Sequence, residues 1–272
     1  MSKQVVQQTA EEETVKIDEA VSEDKATQTD YGIDSSLKFK VVESYKVLRA
    51  NIMFSIIKNG CKTFVVSSSL ASEGKSTIAV NTAIALSQTD ARVLLIDTDL
   101  RRPKINRFLD LPNTPGLSNY LIGMNTIEEV IHKTSYPNLM VFCAGSRVPN
   151  PSELLASSQM EVLLEQLKTA FDYIVIDSAP LNVVSDAYPI IKKTDGVILV
   201  VYQNRSDYKE LDKTLKSLEM VDGKVLGFVM NGVRENAKKN HKKYGYSYGY
   251  GYGYGYGYGG GSKRKMKNNA KD

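Results

Sequence analysis

Cysteine and histidine are nearly missing: the 272 residues include two of each. Cys61 and Cys143 sit in or beside apolar, strand-like runs without metal-ligand spacing, so they read as small core fillers in a reducing compartment. His132 and His241 stand in unrelated contexts, which argues against a His-based metal site or a Ser-His-Asp triad. Also lacking is any apolar run close to the ~20 residues that a membrane-spanning helix needs. The N-terminus is polar and acidic where a signal peptide would be basic and then apolar. The expectation is a cytoplasmic chain with a single sizeable core and tails.

Charge is spread unevenly behind a net value of +4. Residues 1–34 carry three basic and nine acidic side chains, whereas 234–272 carry ten basic and two acidic. The first stretch is short of aromatics and rich in Glu, Gln, Thr and Lys, a composition that cannot bury enough surface to offset chain entropy. The expected organisation is a disordered acidic segment over 1–35, a folded domain over 36–233 and a flexible basic tail over 234–272.

Apolar periodicity outlines the domain. Val41, Tyr45, Leu48, Ile52 and Ile56 recur at helical spacing after a Ser35-Ser36 cap, which predicts an amphipathic helix over 37–58. Glu43, Lys46 and Arg49 share another face of it and, taken alone, read as a solvated face. Strands are expected at 62–68, 92–97, 139–143, 172–177, 196–202 and 224–230. Helices are expected at about 75–88, 151–169, 183–193 and 207–220, with shorter ones between 103 and 132. Continuous apolar runs such as Val93-Leu-Leu-Ile96 and Tyr173-Ile-Val-Ile176 predict strands buried on both faces. The fold class is α/β and P-loop NTPase-like, with a mostly parallel central sheet and helices on both faces.

In such a sheet ligands sit at the carboxyl ends of the strands, where the chemically informative residues fall. Ser69-Leu-Ala-Ser-Glu-Gly-Lys-Ser-Thr77 follows an apolar strand and opens a helix, the arrangement in which unpaired main-chain N–H groups converge on a phosphate. Ser72, Glu73, Gly74, Lys75, Ser76 and Thr77 are the expected nucleotide contacts, with Lys75 on the outer phosphates and the Ser76 hydroxyl on magnesium. Ser69 occupies the first glycine position of the usual pattern, and serine is less free than glycine at positive φ. Strand 92–97 runs into Asp97-Thr-Asp99-Leu-Arg101; if the backbone stays extended there, the three alternate residues point one way. Strand 172–177 ends in Asp177. Carboxylates at two strand ends beside a phosphate loop fit a magnesium nucleotide site. Asn231, just after the last strand, stands where a base contact is plausible, although an Asn-Gly turn explains Asn231-Gly232 equally well.

Five stretches together resemble the bacterial tyrosine kinases of capsule and exopolysaccharide synthesis, in their cytoplasmic split form. They are Glu43 to Arg49, Ser69 to Thr77 as Walker A, Val93 to Arg101 as Walker A′, Ala144 to Leu155, and Tyr173 to Pro180 as Walker B. Leu70 stands where the related partitioning ATPases have a lysine. The resemblance implies ATP and Mg2+ as cofactors, with Ser76, Asp99 and Asp177 at the metal. It also implies Asp97 as acceptor of the tyrosine proton and Arg101 as a screen for charge. It further implies a ring-shaped homo-oligomer contacted through Glu43, Lys46 and Arg49. Lys46 stands where the family has arginine, and lysine lacks the planar fork. A separate membrane-anchored activator that recruits the kinase to the inner face of the membrane, and a cognate phosphatase, are the implied partners; nucleic acid is not expected.

The tail supplies the acceptor. Tyr244, Tyr246, Tyr248, Tyr250, Tyr252, Tyr254, Tyr256 and Tyr258 alternate mostly with glycine, which makes a segment mobile enough to enter a neighbour's site. By itself such a tract also fits a sticky low-complexity segment, a single-strand nucleic-acid tether or an inert linker. Beside the kinase motifs it reads as a phosphoacceptor cluster. Two rival classes stay open: a partitioning-type switch ATPase without kinase activity, and a binding module with a structural nucleotide.

Overall fold

The computed structural model describes residues 35–233. The acidic segment and the basic tail, including every tyrosine from Tyr244 to Tyr258, lie outside the described residues. The first helix, α1 (Ser35–Ser55), ends three residues before the expected 58. Only its C-terminal half finds the domain: Ile52 and, just past the helix end, Ile56 are buried, and Tyr45 and Leu48 are partly buried against the same core. Val41, expected on the packed stripe, is exposed together with Phe39, Val42 and Val47. Period alone cannot tell where a helix outruns the surface it packs on.

The remaining elements alternate. They are β1 (Lys62–Ser68), α2 (Lys75–Ser87), β2 (Val93–Asp97), α3 (Ile105–Phe108), α4 (Leu117–Leu121), α5 (Ile127–Val130), β3 (Ile131–Lys133) and β4 (Leu139–Phe142). Then follow α6 (Pro151–Leu155), α7 (Ser158–Ala170), β5 (Tyr173–Asp177), α8 (Tyr188–Ile191), β6 (Val197–Tyr202), α9 (Tyr208–Met220) and β7 (Val225–Asn231). The described strands form one seven-stranded sheet in the order β3-β4-β2-β5-β1-β6-β7. All neighbours run parallel except β3 against β4.

Alternation along the central strands builds two cores. Val65, Leu94, Ile96, Ile174 and Ile176 face one side of the sheet, while Phe64, Val66, Val93, Leu95 and Val175 face the other. Each fully buried aliphatic side chain contributes about 1.5–3 kcal/mol over its exposed state. Helices cover both faces, so β2 and β5 are buried at every position. This explains why their sequences are apolar runs with no polar alternation.

Three segments depart from the expected elements. The single helix over 151–169 is two, because Ser157 is extended (φ −64°, ψ 159°) and its side chain accepts from Met160 N to start α7 anew. The helix over 183–193 shrinks to α8, because the chain before it is drawn onto the phosphate loop: Leu181 N donates to Ser68 O at 2.9 Å and Asn182 N to Ser69 O at 3.1 Å. β3 was not expected at all; a three-residue edge strand is too short to show a period.

Candidate active site

Because β2, β5 and β1 are parallel neighbours, their carboxyl ends finish side by side. Asp97 and Asp177 are register partners across β2 and β5, and the chain leaving β1 becomes the loop Ser69–Gly74. That loop turns through positive φ at Ser72 (64°) and Gly74 (95°), and not at Ser69. Serine at the first position therefore meets no conformational demand for glycine, and its hydroxyl accepts a hydrogen bond from Thr214 Oγ1 at 2.8 Å. Gly74 is different: a Cβ there would fall 2.0 Å from Asn231 Nδ2.

The loop is braced from outside. The Glu73 side chain is buried (2% exposed); its Oε2 accepts from Leu70 N at 2.9 Å and its Oε1 accepts from the Ser206 hydroxyl. Asn231 Nδ2 donates to Glu73 O at 3.0 Å, and Arg205 Nη1 donates to Ser72 O at 3.2 Å. Carbonyls and the Glu73 carboxylate are thus engaged, while the main-chain N–H groups of 72–77 make no hydrogen bond among the described residues. Unpaired N–H groups at the start of α2 are the condition for holding an anion. The Glu73 side chain holds the loop, which leaves only its main-chain N–H open at the start of α2. Asn231 likewise serves as a brace, with Oδ1 accepting from Gly232 N at 2.8 Å.

The expected common direction of Asp97, Asp99 and Arg101 does not hold. The backbone turns after Asp97, with Arg102 N donating to Asp99 O, so the three side chains part. Asp97 is fully buried; its Oδ2 accepts from Lys104 N and Ile105 N, each at 3.1 Å, and its Oδ1 from Asp99 N at 3.1 Å. Asp99 Oδ2 accepts from Lys75 Nζ at 2.9 Å, with the two side chains 7% and 8% exposed respectively. Arg101 instead grips Asp186, a residue no sequence motif singled out.

Among the carboxylates at the described strand ends, Asp177 departs from the rule that buried polar groups are paired. It is fully buried, and neither carboxylate oxygen has a normal hydrogen bond. Burial pushes its pKa up, while the Lys75 charge and the nearby Ser76 hydroxyl hold part of that rise back. Asp97 is raised as well, by burial and then by the Asp177 charge, against the pull of the Ile105 and Lys104 N–H groups. Burial works to lower the pKa of Lys75, but Asp177, Asp99 and Asp97 more than offset it and the net shift is upward. The cation stays charged at the mouth of α2.

An orphaned buried carboxylate beside a serine hydroxyl and Asp99 offers the hard oxygen donors that magnesium takes. Among the described residues no three His, Cys, Asp or Glu side chains form a complete metal cage. That suits an ion that draws most of its ligands from water and phosphate, so Ser76, Asp99 and Asp177 fit the group. On α1, Lys46 Nζ pairs with Glu43 Oε1 at 2.7 Å, whereas Arg49 Nη1 turns inward to Ala85 O at 2.7 Å. The three residues expected to share a face thus divide, with Arg49 closing the C-terminal turn of α2.

A family model described as an AAA domain matches residues 61–225. The tyrosine-protein kinase CpsD of Streptococcus agalactiae serotype III is 35% identical over 207 residues, covering 75% of this chain and 88% of CpsD. The tyrosine-protein kinase ptk of Acinetobacter johnsonii is 38% identical over 197 residues, which are 72% of this chain and 27% of ptk. Among solved structures, the chimerical protein CapA2B2 superposes with a TM-score of 0.70 at 33% identity, over 73% of this chain and 88% of that one.

Proposed function

The chain belongs to the family of bacterial tyrosine-protein kinases, and on that footing we propose that it carries the γ-phosphoryl group of ATP to tyrosines of its own cluster 244–258, between subunits. The observation that carries this reading is the open set of N–H groups over 72–77 beside the Lys75–Asp99 pair and the unpartnered Asp177.

The loop N–H groups and Lys75 bind the phosphates and oppose the charge that builds on the transferring group. Magnesium, when bound, would supply charge neutralisation at the phosphate oxygens, held through Ser76, Asp99 and Asp177. A tyrosine hydroxyl with an ordinary pKa near ~10 needs a base at neutral pH. Asp97 takes that role in this proposal, its raised pKa bringing it nearer the solution pH. Glu73, Asn231 and Arg205 hold the loop in shape before nucleotide arrives, which lowers the ordering cost of binding.

The exchange takes place in a homo-oligomer, a ring in this proposal. Phe39 and Phe54 on α1 are 68% and 77% exposed, and such apolar exposure supports an interface there. No described helix is long and apolar enough to cross a membrane; recruitment to the inner face of the membrane by a separate anchored activator is part of this proposal. A phosphatase resets the tail, each phosphate having added about −1.5 to −2 charges to a basic segment. Through this cycle the kinase controls capsular or exopolysaccharide synthesis or export.

Incubation of the full chain with labelled Mg-ATP tests the proposal, with Lys75→Met and a chain lacking 244–258 as controls. Label on tyrosine that disappears in both variants is expected. Hydrolysis without label would make the protein a switch ATPase, and neither activity would make it a binding module.

A further inference from the structure

Arg101 and Asp186 make a two-point contact: Nε donates to Asp186 Oδ2 at 2.6 Å and Nη2 to Oδ1 at 3.1 Å. The side chain of Asp186 is 1% exposed and that of Arg101 45%. One edge of the guanidinium is thus fastened to a buried carboxylate while the other reaches solvent, and Nη1 has no hydrogen-bond partner among the described residues. The pKa of Arg101 is raised first by the bond to Asp186, and the charge of Asp99 adds to it. Two residues past Asp99 and fastened to a segment that is hydrogen-bonded to the chain entering the phosphate loop, the half-exposed guanidinium stands outside the buried Asp99–Lys75 pair.

The segment that carries Asp186 is itself fastened to the phosphate loop. Leu181 N and Asn182 N donate to Ser68 O and Ser69 O, and Asn182 Nδ2 ties the segment to Glu210 O at 2.8 Å. Asp186 thus spans the chain leaving β5 and the turn after β2. Burying a carboxylate to hold an arginine that remains half in water is a poor stability device, since the desolvation cost consumes much of the attraction. It is a good orienting device, because the planar fork allows one angular setting.

We propose that Asp186 is a positioning residue for phosphoryl transfer: it locks the inner edge of Arg101 so that the Nη1 edge faces an oxygen of the phosphoryl group as it passes to the tyrosine. This rests on the kinase reading above. In that transfer the bond between the γ-phosphorus and the β–γ bridging oxygen breaks and ADP keeps its electron pair. The tyrosine oxygen bonds to phosphorus and its proton leaves to a base. Arg101 donates hydrogen bonds throughout and neither gains nor loses a proton.

The test uses full-length chain as enzyme and a full-length Lys75→Met copy as tyrosine acceptor. Turnover, the dissociation constant of a fluorescent ATP analogue and the melting temperature are read on each variant. Arg101→Ala should lower kcat about a hundredfold, the loss typical of one preorganised donor at a developing charge, and Asp186→Asn about tenfold, with nucleotide affinity within about twofold of wild type. Adding Asp186→Asn to Arg101→Ala should cost nothing more, since the first acts through the second. Arg101→Lys, which leaves the buried position untouched, should resemble Asp186→Asn and decides the matter if that variant does not fold. Wild-type turnover in both Asp186→Asn and Arg101→Lys would overturn the inference. So would a further loss in the double variant, or a weakening of nucleotide binding equal to the loss in turnover. If wild type places no label on the acceptor, the kinase reading itself falls and the inference with it; if wild type labels and the variants label equally, only the positioning role falls.

Discussion

Replacing Gly74 by alanine tests the idea that the phosphate loop is shaped by a brace from the last strand. Two costs add. At φ 95° an L side chain loses about 1–2 kcal/mol relative to glycine. The new Cβ would also lie 2.0 Å from Asn231 Nδ2, so Asn231 must leave Glu73 O, 3.0 Å away, at about 1 kcal/mol for a typical internal hydrogen bond. The stiffer unfolded chain returns about 0.4–1 kcal/mol. A net destabilisation of about 2 kcal/mol is expected in denaturant titrations of nucleotide-free protein, with weaker binding of ATP analogues. In an Asn231→Ala background the clash is gone, and the same Gly74→Ala change should cost about 1 kcal/mol less. Equal costs in the two backgrounds, or a Gly74→Ala protein as stable as wild type, would refute the brace.

Three further outcomes follow from the same structure. Asp97 and Asp177 both have carboxyl pKa values above the ordinary 3.8; a raised carboxyl stabilises the fold only while protonated, a contribution complete below the unfolded pKa and lost as pH rises through the folded one. Nucleotide-free protein should therefore lose stability from about pH 4 toward neutrality relative to Asp177→Asn, measured by unfolding free energy across that range; parallel profiles would contradict it. Arg49→Ala should cost about 1.5–3 kcal/mol in the isolated chain, the range for hydrogen bonds to charged groups. Lys46→Ala, which breaks only a surface pair with Glu43, should cost under about 1 kcal/mol by the same measurement. Ser69→Gly, which restores the common motif residue, should destabilise by less than about 1 kcal/mol in denaturant titrations, because Thr214 Oγ1 loses the Ser69 hydroxyl but keeps Glu210 O and Asn182 Oδ1 as acceptors.

Much of the fold was legible because its signals are local. The runs Val93-Leu-Leu-Ile96 and Tyr173-Ile-Val-Ile176 can only be strands covered on both faces, and β2 and β5 are just that. What failed was local pattern where a distant contact overrides it. The helix expected from residue 183 starts only at Tyr188, because Leu181 and Asn182 before it are held by the carbonyls of Ser68 and Ser69. Val41 keeps the helical period where the domain surface no longer lies beneath it. Glu43, Lys46 and Arg49 look equivalent in sequence, yet only Arg49 lies within reach of the Ala85 carbonyl.

Residue types alone set the chemistry available: a glycine-lysine-serine turn at a strand end, carboxylates at two other strand ends, and tyrosines alternating with glycine in a basic tail. Those are choices of residue type at fixed spacing, and spacing of two or three residues survives any fold. Which groups hold or orient the site and which are left open follows from the packing of distant segments. Glu73 is taken up by Leu70 and Ser206, while Asp97 is oriented by three main-chain N–H groups. Asp177 is left unpartnered, and Arg101 is turned from its Asp99 neighbour to Asp186, 85 residues away along the chain. Hydrogen bonds are satisfied by whatever the fold brings within about 3 Å, and that is a property of β2, β5 and β1 meeting in one sheet, not of any stretch read alone.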